Sequence, residues 1–374
     1  MPSVFLATGD LAMDRDDYDE CFAATRELLG SADLVFGQLE TSFATTGIRA
    51  PQARHAVLAR SDGAAALARG GFNCISMAGN HVLDWGNEAF FETKRNLENA
   101  GLKVVGAGAN IREARAPAHF ILADDTRVAI LAYSSILPMN FWADERRPGC
   151  APMRAFTAYE AVEKDQPGTR PSISTFPNED DLFAMEEDIR AAKRVADVVI
   201  VSQHWGIHFV RAAIADYQRD IAKAAVVAGA DAIIGGHAHI IKGCELIDGA
   251  PVFYSLCNFA TDLRMDPAHA ASKSFQEIRT LAEEWEPDFD SLYNFPKAAR
   301  LAMIARLEIA DGRIVRSGFI PIVIGRDAVP RPVKPGTDDH AAVVDYLTAV
   351  TAEAGLNARY RTSEQMVELI GDAS

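Results

Sequence analysis

The sequence predicts an α/β fold. Through the first two thirds of the chain, short apolar runs of strand length alternate with amphipathic stretches, a pattern typical of strands connected by helices. Several of these runs end in glycine followed by a polar side chain, as at Gly9-Asp10, Gly79-Asn80 and Gly236-His237. In open α/β sheets, sites gather at the carboxyl ends of the strands. The same pattern therefore predicts a fold class and a place for a functional site.

The first 133 residues contain six predicted strands and three predicted helices. Glycine follows each helix, as expected for a residue that closes a helix in a left-handed conformation. Ser61 is the predicted cap of the second helix. The predicted strands are 4–7, 34–36, 72–77, 102–105, 118–122 and 127–133, and the predicted helices are 16–29, 61–70 and 87–100.

The second half continues the alternation and contains two insertions. Residues 134–178 are rich in Pro, Gly and polar residues, which favours either a binding loop or a solvated surface loop. Residues 262–298 are expected to be helical, with Trp285 and Tyr293 as candidate pocket walls. The remaining predicted elements are helices at 180–196 and 217–228, strands at 197–201, 231–234 and 252–256, and a hairpin of 301–309 with 313–324.

These boundaries predict one main domain over residues 1–328. Residues 329–374 begin with a proline-bearing linker and continue as amphipathic stretches. We expect them to form a helical extension that packs on the main domain. A homo-oligomer is compatible with this organisation.

Composition narrows the function classes. The net charge of −15 disfavours nucleic acid as a partner, because phosphate binding requires a basic face. No segment has the length and apolarity of a membrane anchor, and the N-terminus lacks the pattern of a signal peptide. The five cysteines are dispersed, which suits a reducing compartment and argues against a thiolate zinc site. We therefore expect a cytoplasmic protein.

Polar side chains able to bind a metal ion follow five of the predicted strands. Each has an ordinary explanation when taken alone, such as a helix cap for Asp10 or a packed ring for His204. Their repetition at strand ends, always oxygen or imidazole nitrogen, predicts a metal site. Two ions, about 3.5–4 Å apart, suit the number of ligands, and Mn²⁺, Fe and Zn²⁺ all remain compatible. The candidate residues are Asp10, Glu40, Asn80, His81, His204, His237 and His239.

Six motifs occur in an order that resembles one family. They are Gly9-Asp10, Gln38-Leu39-Glu40, the stretch 79–86, His204-Trp205-Gly206, Gly236-His237-Ala238-His239 and the stretch 254–259. Together, from about residue 3 to residue 325, they resemble the CapA family of poly-γ-glutamate capsule synthesis proteins. That family is related to the calcineurin-like metallophosphoesterases.

The resemblance implies a four-layer αββα sandwich with a dinuclear metal centre. It implies that Asp10 and His239 bind one ion and that Glu40 bridges the pair. The other ion would be bound by Asn80, His204 and His237. His81, oriented by Asp84, would act as the general acid or stabilise the transition state. A fourth histidine, His208, is an alternative ligand or substrate contact, and Asn258 is a candidate substrate contact.

Several positions depart from the pattern. Ala12 stands where many metallophosphoesterases have a histidine, which weakens the ion bound through Asp10. His208 occupies a position that is commonly acidic in the family, and Cys257 replaces a usual glycine. A reactive thiol would require an exposed, electropositive setting.

Three functions are compatible with these observations, and the intact ligand set disfavours one of them, a degenerate fold kept for protein interaction. The first is a metal-dependent hydrolase of a phosphoester or a γ-glutamyl amide. Arginines of residues 134–178 (Arg146, Arg147, Arg154 and Arg170) could bind a small or peptide-like anionic substrate. The second is an accessory protein of poly-γ-glutamate synthesis or export that performs no turnover.

Overall fold

The computed structural model describes residues 2–282 and 284–371. Two mixed β-sheets form its centre, and the fold class predicted from the sequence is confirmed. The strands of the larger sheet and its edge are β1 (Ser3–Ala12), β2 (Leu34–Leu39), β5 (Cys74–Ser76), β6 (Lys103–Val105), β17 (Asn258–Thr261), β18 (Leu301–Ala310), β19 (Arg313–Ile324), β20 (Pro330–Pro332), β21 (Arg359–Thr362) and β22 (Val367–Ile370).

The smaller sheet has six strands. Its central strands are parallel, and each edge carries one antiparallel strand. In spatial order they are β15 (Cys244–Ile247), β16 (Ala250–Phe253), β14 (Ala232–Gly236), β13 (Val198–His204), β9 (Arg127–Ser134) and β8 (Ala118–Ile121). Short pairs outside the two sheets are β3 (Ser42–Phe43) with β4 (Leu58–Ala59), and β7 (Ala107–Gly108) with β10 (Gly149–Cys150).

The helices cover the outer faces of the sheets. They are α1 (Arg26–Gly30), α2 (Gly63–Arg69), α3 (Gly86–Asn99), α4 (Ile111–Ala114), α5 (Glu179–Lys193), α6 (Asp216–Ala228), α7 (Pro267–Ala271), α8 (Lys273–Arg279) and α9 (Asp338–Glu353). α3 and α9 pack on the larger sheet, and α5 packs on the smaller one beside α6.

Alternation along β9 shows how the layers stack. Val128 and Ile130 belong to the core shared with the larger sheet. Ala129 and Leu131 point the other way, into a second core that contains Ile189 of α5. Successive residues of a strand face opposite sides of the sheet. When both sides are buried, every residue of the strand is apolar, and the strand appears in the sequence as a continuous apolar run. The result is the four-layer αββα arrangement.

The predicted helix over residues 16–29 is wrong. The structure has a 3₁₀ helix at Tyr18–Phe22 and the short α1 at Arg26–Gly30. Tyr18, Cys21 and Phe22 are buried in the main core, and this packing decides the local conformation over helix propensity. Ser61 is not a cap either, because Asp62 precedes the first residue of α2.

The insertions differ from their expected forms. Residues 134–178 are not irregular throughout, because β11 (Ala155–Ala161) and β12 (Pro171–Pro177) form an antiparallel hairpin. This hairpin exposes apolar side chains, with Tyr159 at 70% and Ile173 at 60% exposure. The insertion 262–298 contains the two short helices α7 and α8, as expected for a helical segment.

The C-terminal region contains strands that the sequence pattern did not reveal. α9 packs against β19, but β20 and β22 extend the larger sheet by pairing with β19, and β21 pairs with β22. A wholly helical extension is therefore wrong. Over the described ranges, none of the helices combines the length and apolarity needed to cross a bilayer.

Candidate metal centre and active site

Four parallel strands deliver the candidate ligands to one edge of the sandwich. Asp10 lies in β1 beside Gln38 of β2, and Glu40 follows β2 directly. His204 ends β13 beside Gly236 of β14. The His237 backbone N–H donates to Asp10 Oδ2 at 3.0 Å, which joins the two sheets at their carboxyl ends.

The candidate ligands form two groups that share one carboxylate. The first group is Glu40, His204 and His237, and the second is Asp10, Glu40 and His239. Within each group, one ligand atom per residue lies within 4.8 Å of the others. Asn80 joins the first group, since its Oδ1 is 2.7 Å from His204 Nε2. This is the division of residues that the resemblance implied, with Glu40 between the groups.

Several of these atoms lack hydrogen-bond partners among the described residues. Asp10 Oδ1, Glu40 Oε1 and His237 Nδ1 are all buried and unpartnered. Glu40 Oε1 lies 3.1 Å from His204 Nε2, but without the geometry of a hydrogen bond. A buried polar atom left unpaired costs about 1–3 kcal/mol. Convergent oxygens and nitrogens without hydrogen bonds fit divalent transition-metal ions, which accept both donor types.

The electrostatics of the site favour neutral imidazoles. Burial lowers the pKa of His237, and the neighbouring imidazoles add to this effect. Burial also lowers the pKa of His239, although the charge of Glu40 opposes the shift. For Glu40, burial opposes ionisation, but the positive charge that His239 and His204 carry when protonated outweighs it and lowers the pKa of this carboxyl below its usual value. Neutral imidazole and ionised carboxylate are the forms that bind metals, so the shifts of His237, His239 and Glu40 favour binding, whereas burial and the charge of Glu40 raise the pKa of Asp10.

The turn that carries His237 and His239 has a strained backbone. Their φ angles are +84° and +54°, a region that side-chain-bearing residues rarely adopt. Gly236 is required beside them, because a Cβ there would lie 2.7 Å from Asp10 Oδ1. Local strain of this kind accumulates at functional sites, where the surrounding structure holds it in place.

His81 and Asp84 form a hydrogen-bonded pair at the cavity. His81 Nδ1 is 2.6 Å from Asp84 Oδ2, and both residues line the cavity. Burial disfavours the charged imidazolium, but the hydrogen bond to Asp84 and its charge raise the pKa of His81. The pair therefore has the arrangement of an imidazole oriented by a carboxylate.

His208 lies against the candidate ligands. Its ring centroid is 3.9 Å from that of His237 and 5.0 Å from that of His239. It lines the cavity, and its Nε2 has no hydrogen-bond partner among the described residues. The position suits either of the roles expected for it, ligand or substrate contact.

The expectation that Asn258 contacts substrate is wrong. Asn258 is fully buried behind His239, and its Oδ1 is 2.7 Å from His239 Nδ1. Its Nδ2 donates to Tyr293 Oη at 2.8 Å, which fixes the orientation of the amide. Tyr293 in turn donates to the Ala299 carbonyl at 2.7 Å, so this tyrosine supports His239 and is not a pocket wall. No local pattern around Asn258 indicates this supporting role, because the contact with His239 joins separate segments of the chain.

We expect Asn258→Ala to weaken metal binding at the group formed by Asp10 and His239. The substitution leaves His239 Nδ1 without the amide that orients it, and lost orienting partners typically cost about 10–100-fold in metal affinity. Titration of the metal-free protein with Mn²⁺ would measure this loss. Asn110→Ala, which removes an amide that caps α4, is the matched control. Unchanged affinity in Asn258→Ala would refute the assigned role.

The cavity beside the ligands has a volume of about 640 Å³. Glu40, Asn80, His81, His237 and His239 line one end of it, whereas Asp10 and His204 lie behind that wall. Trp285 lines the cavity as predicted, and Ala12 does too.

The predicted binding role of the arginines in residues 134–178 is wrong. Arg147 pairs with Asp144, and Arg154 pairs with Asp181. Among the cavity-lining residues that the structure describes, none of the four predicted arginines occurs, and Arg54 does. Arg54 follows no strand end or glycine turn, so its sequence context gave no sign of this position.

Cys257 has a structural role. Its φ of +71° explains why the resembling pattern has glycine at this position. Its Sγ lies 3.2 Å from the His239 carbonyl oxygen and 3.3 Å from that of Ala299. Burial raises the pKa of the thiol, so the thiolate form required for reactivity is disfavoured.

Comparison with known proteins decides the family. Residues 4–263 match the family model described as bacterial capsule synthesis protein PGA_cap. The chain belongs to the PGA_cap family. This agrees with the resemblance found in the six motifs, and these motifs supply the candidate ligands described above.

Two curated relatives of the PGA_cap chain come from Bacillus. The PGA biosynthesis protein CapA of Bacillus subtilis is 28% identical over 191 residues, or 51% of this chain and 43% of the relative. The capsule biosynthesis protein CapA of Bacillus anthracis is 30% identical over 205 residues, or 54% and 44%. The chain thus spans less than half the length of each. A solved calcineurin-like phosphoesterase of Bacillus subtilis, YfkN, is 13% identical with a TM-score of 0.42, covering 94% of this chain and 97% of its own.

Proposed function

We propose that the protein is a metal-dependent hydrolase that cleaves a phosphoester or an amide of the γ-glutamyl type. One observation carries this proposal: Glu40 is shared by two groups of buried ligand atoms, and the His81–Asp84 pair lines the same cavity. Structural ligands alone would not require an oriented imidazole beside them. A small anionic substrate fits a cavity of about 640 Å³.

Each ligand has a distinct place in this proposal. Asp10 and His239 would hold one ion, and Asn80, His204 and His237 the other, with Glu40 bridging. Bound divalent ions of Mn, Fe or Zn lower the pKa of water and stabilise developing negative charge. Because Ala12 supplies no donor beside Asp10, we expect the Asp10 position to be the weaker one.

The His81–Asp84 pair would move the proton. Asp84 accepts the Nδ1 hydrogen of His81, which leaves Nε2 to carry the proton that the leaving group requires. The aspartate also stabilises the protonated ring, since it is 2% exposed and close to the imidazole. Proton transfer from a positioned side chain typically contributes about 10²–10⁴-fold to the rate.

Metal analysis and a substrate screen test the proposal together. Elemental analysis of the purified protein should find about one to two transition-metal ions per chain. The metal-loaded protein should then hydrolyse at least one member of a panel of phosphomonoesters, phosphodiesters and γ-glutamyl amides. A protein that binds neither Mn²⁺ nor Zn²⁺ when these are added would overturn the proposal.

The second candidate is an accessory role in poly-γ-glutamate synthesis without turnover. The family description and the names of the two Bacillus relatives favour it. The acidity of the chain disfavours a polyglutamate ligand, because its net charge is −15. Binding of poly-γ-glutamate without turnover of any substrate in the panel would support this alternative.

A further inference from the structure

The cavity has two ends of different chemistry. The candidate metal ligands and the His81–Asp84 pair form the polar end. The other end is lined mainly by large apolar side chains, most of them from the insertion 262–298. They include Met265, Phe275, Ile278, Leu281, Trp285 and Phe295.

An aromatic wall connects the two ends. Trp285 packs edge-on against Phe209 and against Phe275, with both pairs of ring centroids 5.0 Å apart. Phe209 and Phe295 also contact the ring of His239, at centroid distances of 5.7 and 5.3 Å. A group bound against this wall would therefore lie one ring contact away from a candidate metal ligand. Offset and edge-on arrangements are those that aromatic groups prefer.

Trp285 is enclosed within this wall. Its side chain is 3% exposed, and its Nε1 is buried without a hydrogen-bond partner in the part of the chain that the structure describes. Because Trp285 lines the cavity, its indole contributes aromatic ring surface to the apolar end.

The charges around the cavity disfavour a polyanion. Arg54 is the only lysine or arginine among the described lining residues, and it lies 4.0 Å from Glu277 at the mouth. Glu40 and Asp262 also line the cavity, and Asp262 is paired with the buried Arg15. Away from the candidate ligands, a chain of carboxylates would therefore find one exposed arginine and a largely apolar wall.

We propose that the substrate carries an apolar group of aromatic size, attached within a few bonds of the phosphoester or amide that reacts. This rests on the hydrolase function proposed above and names its substrate class. The reacting group lies among the candidate ligands, and the apolar group packs against Trp285 and Phe275. Poly-γ-glutamate does not match this class.

Two phosphonates that cannot be hydrolysed test the preference directly. Benzylphosphonate and methylphosphonate present the same anionic group and differ by one aromatic ring. Titration calorimetry on the Mn²⁺-loaded protein should show benzylphosphonate binding about 10- to 100-fold tighter, from burial of the ring surface. Equal affinities, or no binding of either compound, would overturn the proposal.

A variant that fills the apolar end of the cavity with a larger side chain tests where the aromatic ring binds. Leu281 is 43% exposed at the cavity, so Leu281→Trp should fold while narrowing the apolar end. It should remove most of the benzyl advantage and leave methylphosphonate affinity unchanged. Phe183→Ala, which alters an aromatic residue exposed to 64% on α5, is the matched control and should keep the full advantage.

The outcome separates this proposal from the hydrolase function. A benzyl advantage that Leu281→Trp abolishes, in a protein that hydrolyses nothing in the panel, would support the ligand class and refute the hydrolase. Hydrolysis of a panel substrate without tighter binding of benzylphosphonate would support the hydrolase function and refute the ligand class. A benzyl advantage that survives Leu281→Trp would overturn the placement of the ring.

Discussion

Replacing His81 with alanine is expected to lower hydrolysis by about 10²–10⁴-fold while the metal content stays unchanged. His81 lines the cavity and bonds Asp84 at 2.6 Å, but it belongs to neither group of candidate ligands. Its removal should therefore eliminate the proton donor and leave the ion positions intact. Steady-state kinetics on a substrate from the panel, paired with elemental analysis of the same sample, would measure both quantities.

Two further variants serve as a control and a comparison for His81→Ala, and one outcome would contradict the role assigned to His81. His119→Ala removes an exposed histidine on β8 and should change neither quantity. Asp84→Asn should retain metal and lower the rate less than His81→Ala, since it disturbs only the orientation and charge of the imidazole. If His81→Ala loses metal, then His81 is itself a ligand and the assignment of its role is wrong.

The strand pattern made the fold and the site positions predictable. The strands around Val4, Val128 and Val198 are buried on both faces, so their sequences are continuous apolar runs. Their polar terminal residues are local signals, visible without any knowledge of tertiary contacts. Asp10, His204 and His237 could therefore be assigned to one edge before the structure was known.

The features that the sequence did not reveal depend on contacts between distant segments. Asn258 reaches His239 across 19 positions of the chain, and Arg54 reaches the cavity from a loop with no regular pattern. The sequence predicts one helix over residues 16–29, ended by Gly30. The burial of Tyr18 and Phe22 determines its actual form. Pairing of β22 with β19 likewise depends on an exposed strand edge elsewhere in the fold.

The two insertions show a second reason why parts of the structure could not be predicted from the sequence. Their sequences are rich in polar residues and prolines, so periodicity gives little information about residues 134–178. The arginines there are of a residue type that binds anionic substrates. In the structure, however, Arg154 pairs with Asp181 at 2.6 Å, and Arg147 pairs with Asp144 at 2.6 Å. These two arginines do bind carboxylates, as their residue type predicts, but the carboxylates belong to the protein itself and not to a substrate.

Replacing Glu40 with glutamine is expected to have the most severe effect on metal binding. Glu40 is the one residue shared by the two groups, so its charge would serve both ions. Glutamine preserves the size of the side chain and removes that charge, which the neighbouring imidazoles stabilise. We expect the metal content to fall by at least one ion per chain. Hydrolysis should fall about a hundredfold or more, because metal charge stabilisation contributes several kcal/mol.

Thermal unfolding distinguishes lost binding from lost folding. A ligand that binds only the folded state stabilises it by RT ln(1 + [L]/Kd), so the melting temperature rises with the free ligand concentration. Added Mn²⁺ should therefore stabilise the wild-type protein and not Glu40→Gln. Glu308→Gln is the matched control for loss of a buried carboxylate charge, because Glu308 is 5% exposed, as Glu40 is, but its carboxylate pairs with Arg306 and Arg316 and belongs to neither group of candidate ligands. If Glu40→Gln keeps its full metal content and the Mn²⁺-dependent stabilisation, then Glu40 does not bridge, and the two groups cannot be a joint centre built around its carboxylate.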